Sequence, residues 1–93
     1  METKILRVVK SGDVFAVKSE KTEGGSLNKR IVVLQEMGGG KYENSYVVSV
    51  LGNAAGIELK SGDMVACTLR FQARDYNGQS FQDIVMTDLK VIQ

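Results

Sequence analysis

Apolar and polar positions alternate with a period of two along much of this 93-residue chain. That spacing belongs to strands with one face in a core and the other in water. The longest such run sets Val65, Cys67, Leu69, Phe71 and Ala73 against Ala66, Thr68, Arg70, Gln72 and Arg74. The return run, Ser80 to Ile92, is rich in β-formers, and the connection Asp75 to Gln79 holds Asn77-Gly78, a pair that tolerates the left-handed backbone of a tight reversal. One long hairpin is predicted. Its wet face carries Arg70 and Arg74, pointing the same way.

Upstream, Ile5 to Val9 pauses at Ser11-Gly12-Asp13 and resumes at Val14 to Val17, which fits a bulged strand, a short hairpin or, the preferred reading, one bent strand. Lys18 to Asn28 is polar and aperiodic and is expected to be a mobile loop. Lys29 to Glu36 forms a second strand, and Tyr42 to Leu51 a third, with Tyr46, Val48 and Val50 on one face. Asn53 to Leu59 reads as one short helix with Asn53 as N-cap, weakened by Gly56. The order is three strands, a short helix between strands three and four, and two more strands. This matches the OB-fold, a five-stranded Greek-key barrel that grips oligonucleotides on its second and third strands and two flanking loops, here Lys18 to Asn28 and Asp75 to Gln79. An SH3-like barrel and a small sandwich share the strand count.

Length fits one domain over residues 1–93, with a single modest core and function on a surface or shallow groove. No apolar run approaches the roughly 20 residues of a membrane span, and the opening residues lack a secretory signal, so a cytoplasmic protein without membrane contact is expected. Cys67 is alone, which fits a reducing compartment, and its phase puts it in the core. Twelve basic against eleven acidic residues leave a net charge of +1, so any polyanion would be met by a local cluster and not by the overall field. Histidine is absent, no motif frames the aspartates, and Gly38-Gly39-Gly40-Lys41 lacks the spacing of a phosphate loop. Neither catalysis, cofactor nor metal is expected.

Three segments resemble the bacterial single-stranded DNA-binding proteins of the OB-fold type, in particular short, tail-less relatives. Gly24-Gly25-Ser26-Leu27-Asn28-Lys29-Arg30-Ile31-Val32-Val33-Leu34 resembles the glycine-containing loop and second strand. Tyr46-Val47-Val48-Ser49-Val50-Leu51-Gly52-Asn53-Ala54-Ala55 resembles the third strand and helix, and Leu59-Lys60-Ser61-Gly62-Asp63-Met64-Val65, with Arg70, Arg74, Tyr76 and Gly78, the fourth strand and hairpin. The resemblance implies binding of single-stranded DNA, or RNA in its place, and the unpaired strand edges of a small OB barrel lead us to expect a homo-oligomer, dimer or tetramer. It departs from the family in having no tryptophan, so tyrosines and phenylalanines must do the stacking, and the chain stops after a strand without an acidic tail.

Binding of single strands needs cations along the backbone and aromatic faces for the bases. The candidate groove consists of Arg30, Lys41, Tyr42, Tyr46, Arg70, Arg74 and Tyr76. Tyr76 sits by the turn, where a ring is poorly buried, and Tyr42 follows the triple glycine beside Lys41. Tyr46 shares the face of Val48 and Val50, which also suits a core residue with its hydroxyl at the rim. Phe71 and Phe81 are expected to pack in the core. The alternative function is an assembly module, in which exposed strand edges and the aromatic rim contact protein and nucleic acid is incidental.

Overall fold

The computed structural model describes residues 2–18, 24–37 and 44–92. Its strands are β1 (Glu2–Ser11), β2 (Phe15–Lys18), β3 (Ser26–Glu36), β4 (Ser45–Leu51), β5 (Met64–Tyr76) and β6 (Gln79–Val91), with a 3-10 helix at Gly52–Gly56 between β4 and β5. β1 and β2 are the two halves of the bent first strand. Both run antiparallel along β3 in one direction, Ser11 opposite Val32 and Phe15 opposite Lys29. Gly12 makes the bend. Its N–H donates to the Ile31 carbonyl at 2.9 Å, and a Cβ there would lie 3.2 Å from that oxygen, closer than side chains normally approach.

β1 also pairs antiparallel with β5, β5 with β6, and β3 with β4, while β4 and β6 meet in parallel at Ser49 and Val85. The strands thus close in the ring β1-β5-β6-β4-β3-β1, with β2 continuing β1 along β3. This is the expected OB barrel, with the 3-10 turn in the place of the short helix. That turn begins at Gly52 and ends at Gly56, and its N-cap residue is Leu51, without a side-chain cap, in place of Asn53. Two glycines and no capping bond leave too little to hold an α-helix of the predicted length.

Alternation builds the core. Leu6, Val8, Val32, Leu34, Val48, Val50, Val65, Cys67, Leu69 and Met86 are fully buried, and Leu59 joins them from beyond the 3-10 turn. A bulge in β6 keeps this pattern in phase. Ala66 faces Lys90 but Thr68 faces Thr87, so β6 carries one extra residue, and Asp88 takes the left-handed backbone (φ 51°) that absorbs it. Leu89 is thereby returned to the core side, where it packs against the buried cluster.

Two expectations change. The loop after Lys18 is shorter than the pattern indicated, because Lys18 pairs with Ser26 and β3 starts three residues before Lys29. A polar sequence pairs as readily as an apolar one when its neighbour strand fixes the register. The hairpin also outruns the barrel. Pairing with β1 ends at Glu2 opposite Leu69, yet β5 and β6 stay paired to Tyr76 and Gln79, and residues 70–82 are all exposed. The connection tightens to a two-residue turn, Asn77 and Gly78 at φ 52° and 77°, the left-handed pair of a type I′ hairpin.

Candidate functional site

Residues directly paired across strands share a face, so the buried set defines the opposite, outer face residue by residue. On β3 the outer positions are Lys29, Ile31 and Val33, and on β4 they are Leu51, Ser49 and Val47. On β6 they include Val85, Asp83 and Phe81, and on β5 Arg70, Gln72, Arg74 and Tyr76. Four strands are crossed by one row: Ile31 beside Ser49, Ser49 beside Val85, Val85 beside Arg70. Lys10 flanks Val33 and Phe15 flanks Lys29 on the same face, so β1 and β2 add a cation and an aromatic ring to its far side.

The arm formed by residues 70–82 extends this face past the barrel. Arg74 reaches back to Asp83, its Nε donating to Oδ2 at 2.7 Å, and its guanidinium lies over the Phe81 ring at 4.9 Å from the centroid. Tyr76 stands beyond them, 64% exposed. Val47, at 62%, is the most exposed aliphatic residue of the face among the described residues. Exposed apolar side chains thus share the face with Lys10, Lys29, Arg70 and Arg74, and with the Asp83 carboxylate at the base of the arm. Such a surface suits an anionic ligand that carries flat apolar groups.

The predicted site residues divide by strand phase. Arg70, Arg74 and Tyr76 share the outer face. Arg30 and Tyr46 have the opposite phase, opposite Val50 and Leu34. Arg30 donates from Nη1 to the Ile57 carbonyl at 2.9 Å and so braces the segment after the 3-10 turn. Tyr46 packs against the core, and its hydroxyl donates to Glu36 Oε2 at 3.1 Å. That bond, with Lys4 Nζ at 3.5 Å from the same oxygen, holds the Glu36 carboxyl below its ordinary range, although partial burial works against it. Lys41 and Tyr42 lie outside the described residues.

Phe71 and Phe81, expected in the core, are 43% and 38% exposed because the strands carrying them have already left the barrel. Lys10 and Val47 were not singled out for the site by the sequence, and Phe15 was a candidate only as one of the rings available for stacking. Only the ring order of the strands puts them on one surface with Arg70, and no local pattern carries that order. A shallow cavity of about 350 Å³, lined by Lys4, Ile5, Leu6, Glu36 and Met37, shares no residue with the outer face. Among the described residues no group of three His, Cys, Asp or Glu side chains is placed to hold a metal ion, and no helix is long and apolar enough to cross a membrane.

The fold is similar to the second OB-fold domain of replication protein A from Methanococcus maripaludis, a solution NMR structure, with a TM-score of 0.73 and 15% sequence identity over 98% of this chain and 82% of that one. No family model and no curated protein matches the chain.

Proposed function

We propose that this OB barrel binds single-stranded nucleic acid, DNA in the first place, on the outer face of β3, β4, β6 and the β5–β6 arm, without catalysing a reaction. The row Ile31, Ser49, Val85, Arg70 carries the reading, because it joins the barrel face to the arm in one surface. Phosphates would meet Lys10, Lys29 and Arg70, and bases the arm's Tyr76. OB-folds hold single strands by this combination of a cationic track with stacking rings, and the likeness to an OB-fold domain of replication protein A supports it. Titration of a labelled single strand, with duplex of equal length as competitor, tests the reading. Tight binding that the duplex displaces poorly is expected, and equal competition by duplex contradicts it.

A second reading, self-assembly, is favoured by the edge of β5 beyond Leu69, where the partner strand β1 ends. Among the described residues no second strand pairs with this edge over residues 70–76, and it offers backbone groups to another chain. On this basis we also propose a homodimer or homotetramer. Light scattering at micromolar concentration reads it directly, and a monomer mass across the range would count against it.

A further inference from the structure

We propose that Arg74 is a stacking platform for an unpaired base and not a phosphate cation, an inference that rests on the single-strand reading above. Two contacts carry it. The 2.7 Å ion pair with Asp83 already offsets the guanidinium charge, so a phosphate arriving there would displace few counterions. The Phe81 ring, 4.9 Å away, backs one side of the guanidinium and leaves the other to solvent, the side chain being 57% exposed. Bases splayed out of a strand settle on flat guanidinium surfaces as they do on aromatic rings. Asp83 and Phe81 act as positioning residues that hold this surface in place before the ligand arrives.

Tyr76 completes the site. It lies two residues further along the same face, which is about 6.8 Å on an extended strand, so its ring can take the base next to the one on the guanidinium. Arg70, on the same strand face, has no such arrangement in the described contacts and takes the phosphate role. The ligand class follows from the shape. A base must present an open π-face, which a single strand does and an intact duplex does not.

The test compares wild-type protein with Arg74→Lys, which keeps the charge and loses the plane. Each is titrated by fluorescence anisotropy with labelled oligothymidylate and with an abasic strand of the same length, over a range of salt. Arg74→Lys should weaken oligothymidylate binding about tenfold, within the range of one stacked base, and abasic binding less than twofold, with the salt slope unchanged. Equal losses on both strands would make Arg74 a phosphate contact and overturn the proposal. Asp83→Asn provides an independent arm. Releasing the guanidinium should steepen the salt slope and erode the preference for oligothymidylate over the abasic strand, and no change in either would also overturn it. Wild-type protein that binds neither strand would instead remove the single-strand reading itself.

Discussion

Phe71 meets Tyr46 edge-on, ring centroids 6.5 Å apart and planes at 67°, at the point where the hairpin leaves the barrel. Phe71 keeps the phase of Val65, Cys67 and Leu69, but the barrel ends after Leu69, so the same alternation that fills the core further down here clamps the base of an arm. Tyr46 is in turn fixed by Glu36. Besides the continuous β5–β6 ladder, arm and barrel are therefore joined by a contact at the rim.

This placement separates two neighbouring substitutions. Leu69→Ala removes a fully buried side chain and should cost about 2 to 5 kcal/mol. Phe71→Ala loses one edge contact and part of a half-exposed ring, about 1 to 2 kcal/mol. Urea unfolding of the two variants measures the difference, and equal costs would place Phe71 in the core.

The rim is also sensitive to acid. The Tyr46 hydroxyl, then Lys4, hold the Glu36 carboxyl below its ordinary range. A carboxyl lowered on folding stabilises the fold above its unfolded value, and that contribution is lost as pH falls through the folded value. Tyr46→Phe removes the leading cause, so the Glu36 titration, followed by NMR, should move up towards the ordinary range. An unmoved midpoint would show that the hydroxyl does not control it.

Cys67 is buried in the barrel, and burial raises its thiol above the ordinary value. The thiolate is the reactive form, so the folded protein should resist thiol reagents at neutral pH and react fully in denaturant. Cys67→Ser places an unpartnered hydroxyl in the core and should cost about 1 to 3 kcal/mol, read from the urea midpoint, with little effect on ligand affinity. Rapid labelling of the native protein would contradict the buried position.

Strand periodicity carried most of this fold, because alternation is a local property: Val48 and Val50, or Val65 and Leu69, announce their burial from their own neighbours. The OB order followed from the spacing of those runs and the small turn before β5. Two things were not local. The length of the arm depends on where β1 stops pairing, which nothing near Phe71 or Phe81 encodes. Lys10 and Phe15 reach the face only through β1 and β2 wrapping along β3, a long-range pairing with no trace in their own segment. Arg30 differs from these, because its phase is local: it can be read from Val32 and Leu34, and it points away from the face that holds Arg70.

The turn at the arm's end offers a further check on its role. Gly78 adopts φ 77°, where a side chain costs about 1 to 2 kcal/mol. Gly78→Val should loosen the arm and weaken binding of a single strand, while the barrel's thermal midpoint falls by only a few degrees. Undiminished affinity would mean that the arm takes no part in binding.

The most direct measurement is the salt dependence of binding to a labelled single-stranded oligonucleotide, made on the wild type, Arg70→Ala and Tyr76→Ala. Affinity should fall as salt rises, with a slope near 0.7 for each phosphate neutralised. Arg70→Ala should weaken binding and take about 0.7 from that slope, whereas Tyr76→Ala should weaken binding and leave the slope as it was, because stacking releases few counterions. Absence of binding to long single strands even at low salt would contradict the account and leave the assembly reading in its place.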